Sequence, residues 1–286
     1  MMQFTDSHCH LDDIVFREQL PSLLAQCAKL AINRIIVPAI SPDNFDNVLT
    51  IAKRYHNKPI QLHACLGIHP WFLDGLNNVH LEQLTAKVTL EKSNIIAIGE
   101  TGIDGANIKR SDEPIKELAK QQHFFDCQLN LAKQNDLPVI IHHRQSHQYI
   151  VPMLKQYKLA RSGVIHGFSG SYQQAKDYLD LGFKLGIGST ITYSRAKKTI
   201  NTVKRLPLES LVLETDAPSM PLSPEVMGTE VKSKEFMAKE AISQEVATNS
   251  PINLIKIFNV LTTIRTESSE EIAEQLEHNI EQVFFT

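Results

Sequence analysis

Cysteine is scarce in this chain, and the few cysteines show no motif spacing. Cys9, Cys27, Cys65 and Cys127 are scattered over 286 residues and form no Cys-x-x-Cys pair. This pattern argues against a disulfide framework and against a cysteine-ligated metal module. We interpret the four as reduced thiols, which predicts a cytoplasmic protein.

Long apolar runs and an excess of positive charge are also missing. No hydrophobic run approaches the roughly 20 residues that span a membrane. Polar residues from Gln3 to His8 interrupt the opening where a signal peptide would be apolar. The formal net charge of -3 gives no general attraction to nucleic acid, so a polyanion would need a local patch or a metal. We expect no membrane association, and no segment indicates an obligate protein partner.

What the sequence does contain is a regular alternation of short apolar and longer amphipathic segments. Runs of Val, Ile, Leu and Ala predict buried parallel strands at 3–8, 34–39, 61–68, 94–100, 138–142, 162–166, 183–188 and 210–215. Helical stretches alternate with them at 15–31, 43–55, 81–92, 113–134, 148–157, 172–181 and 196–205, and two more follow at 251–263 and 269–285. This order predicts an α/β fold, a (β/α)8 TIM barrel with extra C-terminal helices, made by residues 1–286 as a single domain.

Two features bear on the alternatives to this fold and on its loops. No glycine-rich phosphate loop follows the first strand, which disfavours a doubly wound open sheet. One long irregular connection, 218–250, follows the last strand and includes a charged stretch with helical character at 232–247. A long loop on a compact domain is usually functional or disordered, so a lid and a surface excursion are both open interpretations.

Ionisable residues recur at the carboxyl ends of the predicted strands, where TIM barrels gather their functional groups. Strand one leads into His8 and His10, and the alternation of an extended chain puts Asp6 on their face. Four further strand ends carry Glu100, His142, His166 and Asp216. Chance does not account for the whole ring, so we predict that the barrel mouth holds one polar cluster.

The same alternation predicts what surrounds this ring. The residues that share its predicted faces are Ile98, Ile140, Val164 and Val212, which would fill the barrel below. Glu214 falls just below Asp216, where it would support a ligand. We interpret His63 as a hydrogen-bonded core histidine and Cys9 as a small apolar residue that points outward beneath the helices.

Four histidines and two carboxylates are too many ligands for one tetrahedral ion. They suit two divalent ions that share a bridging carboxylate. Such a pair polarises a phosphoryl or carbonyl oxygen and lowers the pKa of bound water. Mixed imidazole and carboxylate ligands are compatible with Zn, Mn, Fe or Co and less typical of Mg. The sequence leaves the choice among these five metals open.

The candidate ligands stand in ordered motifs between residues 5 and 218. These are TDSHCHLD at 5–12, GIHPW at 67–71, IGETGID at 98–104, LPVIIHHR at 137–144, GVIHGFSG at 163–170 and LETDAP at 213–218. Together they are similar to the motifs of the TatD-like metal-dependent deoxyribonucleases, which belong to the amidohydrolase-type barrels. The match is especially close to the YjjV-type branch of that family.

The resemblance implies a role for each residue of the ring. Glu100 would bridge two ions, and the other ligands divide into His8, His10 and Asp216 for one ion and His142 and His166 for the other. The resemblance also implies that Asp216 helps to activate the water, so Asp216 and Glu100 are the expected catalytic residues.

The resemblance further implies that His69 and Arg144 contact the substrate, and the fork of donors on Arg144 suits a phosphate. Asp104 matches the acidic residue that the family has after its glutamate, and we assign it to substrate binding. Trp71 either stacks on a base, as in single-strand binders, or packs at the rim.

These expectations converge on a two-metal hydrolase that cleaves DNA. The resemblance implies single-stranded DNA degraded from a 3′ end. One alternative keeps the ions but changes the bond to an amide, lactone or aminoacyl ester in a small substrate, which the acidic net charge fits equally well. A second alternative is a catalytically idle binding protein. Gly105-Ala106, His143 and Ser219 depart from the usual family pattern, which leaves the choice of substrate open.

Overall fold

The structure is a computed structural model, and it describes residues 2–228 and 248–286. Over this part of the chain one sheet has eight strands: β1 (Phe4–Asp6), β2 (Ile32–Pro38), β3 (Gln61–Leu66), β4 (Ile95–Asp104), β5 (Val139–Arg144), β6 (Gly163–His166), β7 (Lys184–Ile187) and β8 (Leu211–Leu213). Each strand pairs in parallel with the next along the sequence. Backbone hydrogen bonds from Ser7 to Leu213 (2.9 Å) and from Asp216 to His8 (2.8 Å) bring the last strand back to the first. The predicted (β/α)8 barrel is therefore confirmed, and an open doubly wound sheet is wrong.

Helices connect the strands in the predicted order. They are α1 (Leu20–Lys29), α2 (Phe45–Tyr55), α3 (Asn78–Leu90), α4 (Gly105–Arg110), α5 (Pro114–Asn135), α6 (His147–Tyr157), α7 (Tyr172–Leu179), α8 (Lys197–Arg205), α9 (Pro224–Met227), α10 (Leu254–Ile264) and α11 (Ser269–Ile280). The sequence-based prediction missed α4 and α9, because helices of 6 and 4 residues are too short to show an apolar period. The charged stretch 232–247 lies outside the described residues. Among the helices described, none is long and apolar enough to cross a membrane.

Two buried layers hold the barrel together. The larger layer lies between the sheet and the helices, and the smaller one fills the barrel with Ile36, Cys65, Ala97, Ile140, Val164, Val212, Ile280, Val283 and Phe284. On β4 the interior residue is Ala97, whereas Ile98 packs in the outer layer. The predicted inward position of Ile98 is therefore wrong. A register shift between Ile98 and Thr101 interrupts the alternation of β4, so that Glu100 still points toward the mouth.

The C-terminal segment closes the opposite end of the barrel. After α11 a π-helical turn, Glu281–Phe285, places Val283 and Phe284 against the interior layer. Arg34 of β2 pairs with Glu277 at 2.7 Å and with Glu281, so this end is also fixed by ion pairs. His63 lies here, 4.8 Å from the ring of Phe285. It is a core histidine as predicted, but its Nε2 has no hydrogen-bond partner among the described residues.

Candidate metal centre

The first and last strands lead into three candidate ligands at the mouth, His8, His10 and Asp216, and Asp6 holds these two strands together. Asp6 is fully buried and accepts hydrogen bonds from the backbone of Thr215 (2.9 Å), the hydroxyl of Thr215 (2.5 Å) and the backbone of His8 (3.2 Å). Burial raises the pKa of Asp6 to about 7, against the opposing effect of the Thr215 hydrogen bonds. This carboxyl joins β1 to β8 and fixes the chain on either side of His8 and Asp216. Asp6 therefore braces the cluster from outside it.

One group of donor atoms forms around His8 and His10. Their Nε2 atoms are 3.2 Å apart. Oδ1 of Asp216 lies 3.7 and 3.5 Å from these two nitrogens, and Oε2 of Glu100 lies 3.0 and 3.5 Å from them. Ligands held about 2.0–2.2 Å from a tetrahedral zinc ion stand roughly 3.3–3.6 Å from one another. The four atoms thus have the spacing of a coordination shell.

The other oxygen of Glu100 faces a second group. Oε1 lies 3.0 Å from Nδ1 of His142, 3.2 Å from Nε2 of His69 and 3.8 Å from Nε2 of His166. His166 Nε2 is also 3.9 Å from Oδ2 of Asp216. Among the described residues, three groups of donors lie close enough to share an ion: His8, His10 and Asp216; His69, Glu100 and His142; and His8, Glu100 and His166. The two oxygens of Glu100 therefore face different sets of donor atoms.

His69 lies closer to this second group than the sequence indicated, but its tautomer argues against a ligand role. Its Nδ1 accepts the backbone N–H of Trp71 at 3.0 Å. Burial lowers the pKa of His69 to about 4, so the ring is neutral. A neutral ring whose Nδ1 accepts a hydrogen bond carries its hydrogen on Nε2, the atom that faces Glu100. His69 therefore presents a donor rather than a lone pair to the centre of the cluster.

Two buried carboxylates stand behind the histidines of the second group. Oδ2 of Asp104 lies 3.0 Å from Nε2 of His142 and accepts the indole N–H of Trp71 at 2.6 Å. Oε1 of Glu214 lies 3.1 Å from Nδ1 of His166, as the sequence-based support role for Glu214 anticipated. The link from Trp71 through Asp104 to His142 was missed, because the turn that follows β3 cannot be placed against β4 from sequence alone.

The electrostatics of the cluster favour a bound cation. Burial alone would raise the pKa of Glu100, but the surrounding imidazoles outweigh it and hold the pKa well below its usual value. Burial alone would lower the pKa of His10, yet Asp216 and Glu100 raise it well above the ordinary value. For His166 burial again lowers the pKa, but the combined charges of Glu214, Asp216 and Glu100 outweigh it and raise the pKa to about 10. Protonated imidazoles thus balance the buried carboxylates, and divalent ions would take the place of those protons.

A cavity of about 600 Å³ opens above the cluster. Its rim includes Arg144, whose Cζ lies 5.9 Å from the ring centre of Trp71 and whose side chain is 45% exposed. Trp71 itself is 52% exposed. Sequence reasoning missed several lining residues that come from loops rather than strand ends: Asp12, Ile40, Phe72, Ser169, Thr190 and Met220. His143, adjacent to a candidate ligand, also lines this cavity, and its ring lies near those of Phe168 and Tyr178.

All six predicted ligands therefore come together at the mouth of the barrel. Of the four predicted substrate residues, His69, Trp71 and Arg144 line the cavity, whereas Asp104 is buried behind His142. A family model described as TatD related DNase matches residues 5–285. The chain belongs to this family. The predicted resemblance is confirmed, and the family comprises metal-dependent hydrolases.

Individual relatives agree with this family assignment over nearly the whole chain. The uncharacterized metal-dependent hydrolase YjjV of Escherichia coli is 39% identical over 282 residues, which cover 99% of this chain and 98% of YjjV. The crystal structure of YjjV superposes with a TM-score of 0.85 and covers 99% of this chain and 98% of its own. The human deoxyribonuclease TATDN3 is 28% identical over 88% of this chain and 93% of its own length. This TatD-family chain is accordingly a metal-dependent hydrolase.

Proposed function

We propose that this TatD-family hydrolase is a deoxyribonuclease that uses two divalent ions to cleave phosphodiester bonds in single-stranded DNA from the 3′ end. The observation that carries the proposal is the position of Glu100, whose two oxygens face separate groups of imidazole and carboxylate donors. The name of human TATDN3 as a deoxyribonuclease favours DNA over other esters. Four free cysteines fit a cytoplasmic enzyme.

The donor set fits Zn, Mn, Fe or Co better than Mg, because imidazoles outnumber the carboxylates. When bound, two such ions supply polarisation of the phosphoryl oxygen and a lowered pKa for the attacking water. Asp216 faces both groups, with Oδ1 toward His8 and Oδ2 toward His166. Its carboxylate is therefore placed to accept the proton of that water. Glu100 links the two groups of donor atoms.

The rim supplies groups suited to a nucleotide. The guanidinium of Arg144 offers a planar fork of donors to a phosphate, and the exposed ring of Trp71 offers a stacking face to a base. Nε2 of His69 offers a hydrogen to an oxygen at the centre of the cluster. The floor of the cavity is closed by the cluster and by the interior layer beneath it. A cavity of about 600 Å³ with a closed floor favours entry of a strand end over passage of a continuous strand.

The test uses protein that has been stripped with a chelator and reloaded with each metal in turn. Single-stranded oligonucleotides labelled at the 5′ or at the 3′ end are incubated with wild type, His142→Ala and His123→Ala. His123 is an exposed histidine of α5 and serves as the matched control. We expect the 5′-labelled strand to shorten stepwise in a metal-dependent way. His142→Ala should lower the rate at least about 100-fold, since even indirect support of a ligand is worth 10–100-fold.

Three outcomes would contradict the proposal. The first is the absence of metal-dependent DNA cleavage, and the second is equal cleavage by His142→Ala. Internal fragments, in place of stepwise shortening, would overturn the end-directed mode alone. A parallel panel of amides, lactones and aminoacyl esters tests the competing hydrolase activity, and hydrolysis of that panel without DNA cleavage would establish it instead.

A further inference from the structure

The histidines on the two sides of Glu100 differ in what holds their outer nitrogens. Nε2 of His142 faces Asp104 at 3.0 Å, and Nδ1 of His166 faces Glu214 at 3.1 Å. On the other side, Nδ1 of His10 faces the backbone carbonyl of Pro38 at 3.2 Å. Nδ1 of His8 and Nδ1 of His166 are both buried and lack a hydrogen bond of good geometry in the described part of the chain. Only the Nδ1 of His166 has a carboxylate oxygen within ion-pair distance there. Within residues 2–228 and 248–286, carboxylates thus face the outer nitrogens of His142 and His166 but not those of His8 and His10.

We propose that Asp104 and Glu214 are positioning residues that select the ligand atoms of His142 and His166, and so control whether the second ion binds. The inference rests on the proposed two-metal function. It goes beyond that function in two ways. Asp104 supports a ligand from behind the cluster, in place of the substrate contact expected from the sequence. One ion position can also be emptied without emptying the other.

The need for selection follows from the opposite nitrogens that the two rings turn inward. His142 presents Nδ1 to Glu100, whereas His166 presents Nε2. A neutral imidazole has a lone pair on one nitrogen only, and the hydrogen bond of the other nitrogen decides which one. A carboxylate only accepts hydrogen bonds, so the 3.0 Å contact with Asp104 keeps the hydrogen of His142 on Nε2. The negative charge of Glu214, 3.1 Å from Nδ1 of His166, favours the hydrogen of that ring on Nδ1. Each ring therefore needs its own acceptor.

Both carboxylates are fixed independently of the histidines they face. Asp104 is fully buried and also accepts the backbone N–H of Asn107 at 2.7 Å and the indole of Trp71 at 2.6 Å. Glu214 is fully buried as well and accepts the backbone N–H of Gly167 at 2.6 Å. A Cβ at position 186 would lie 2.0 Å from Oε2 of Glu214, so Gly186 provides the space for this side chain. Rigid acceptors of this kind hold a ring orientation before any ion arrives.

Substitution of either acceptor should therefore affect one ion position only. In Asp104→Asn the amide N–H can donate to Nε2 of His142, which moves the ring hydrogen to Nδ1 and removes the lone pair that faces Glu100. In Glu214→Gln a neutral oxygen replaces the charged acceptor of His166, which weakens its hold on the ring hydrogen. The donors of His8, His10 and Asp216 are untouched by both changes. Asp177→Asn is a matched control, because Asp177 faces His147 at 2.9 Å in a similar pair outside the cluster.

The experiment titrates chelator-treated full-length protein with Mn²⁺ and follows bound metal by equilibrium dialysis and by electron paramagnetic resonance. Wild type and Asp177→Asn should bind two ions and give the spectrum of a spin-coupled pair. For Asp104→Asn and Glu214→Gln, the free Mn²⁺ needed to bind the second ion should rise about 10- to 100-fold. At intermediate Mn²⁺ these variants should hold one ion with the spectrum of an isolated Mn²⁺. Circular dichroism of the metal-free proteins establishes that each variant is folded.

Two results would overturn the inference while leaving the proposed function in place. One is a coupled pair at wild-type Mn²⁺ concentrations in both variants. The other is equal loss of both ions, which would give the carboxylates a general structural role. Failure of the wild-type protein to bind any Mn²⁺ would refute the proposed function and the inference together. Because Asp104 and Glu214 act on different histidines, a fold defect in one variant leaves the other as the test.

Discussion

At the scale of single residues, three carboxylates with different roles organise the site. Glu100 separates the two donor groups, Asp216 faces both, and Asp6 joins the strands that carry His8 and Asp216. Their positions at strand ends made Glu100 and Asp216 predictable, because functional groups of parallel barrels gather there. Which nitrogen each histidine turns inward was not predictable, since it depends on acceptors from distant segments.

Arg144 is the residue whose substitution should separate substrate binding from catalysis. Arg144→Gln removes the charged guanidinium at the exposed rim and leaves every proposed ligand in place. The nearest guanidinium nitrogen lies 3.8 Å from the carboxylate of Asp104. We expect KM for single-stranded DNA to rise about 10-fold or more, as the loss of a charge-assisted hydrogen bond predicts. We expect kcat and metal content to change little, as measured by steady-state kinetics and metal analysis.

The matched control for this prediction is Arg54→Gln. Arg54 is an exposed arginine in the last turn of α2, away from the cavity, and it has the same charge as Arg144. A rise in KM for both variants would show that only net charge matters, and a fall in kcat without a change in KM for Arg144→Gln would contradict a binding role.

At the scale of elements, β4 and the C-terminal segment show what the spacing of apolar residues predicts correctly and what it cannot predict. The strand assignment for β4 was right, but the register shift after Ile98 reverses the faces of the residues before it. No alternation rule could anticipate this, because the shift depends on pairing with β5. The C-terminal helix was predicted, whereas its docking across the amino end of the barrel depends on long-range contacts of Arg34 with Glu277 and Glu281.

The end of the barrel that the C-terminal segment closes should respond to acid through His63. Burial, reinforced by the charge of Arg34, lowers the pKa of His63 from 6.5 to about 4. The folded state therefore favours neutral His63, and this contribution is fully present above pH 6.5 and is lost as pH falls toward 4. His63→Leu should remove this dependence. The unfolding free energy of wild type should fall relative to the variant by about 3 kcal/mol between pH 7 and pH 4.

Urea unfolding at several pH values measures this difference on metal-free protein. His56→Leu is the control, because His56 is an exposed histidine whose ring lies 6.2 Å from that of His63. If wild type and His63→Leu lose stability in parallel as the pH falls, His63 is not a buried neutral group and the prediction is wrong.

At the scale of the whole molecule, the barrel assigns different tasks to its two ends. The carboxyl ends of the strands carry the polar cluster and the cavity, and the amino end is closed by the C-terminal segment. Apolar strand runs predicted the fold, and the polar ends of the strands predicted that the six candidate ligands come together. The motifs around those residues predicted the family. They could not fix the substrate, because the residues around the mouth come from loops such as those that carry Trp71, Thr190 and Met220.

The central claim is that Glu100 lies between two ions, one held by His8, His10 and Asp216 and the other by His142 and His166. A crystal structure of the metal-loaded protein, with anomalous scattering recorded at the metal edge, tests this claim most directly. The account predicts two anomalous peaks about 3.5–4 Å apart, each in contact with a different oxygen of Glu100. A single peak, or a pair in which neither ion contacts Glu100, would contradict it.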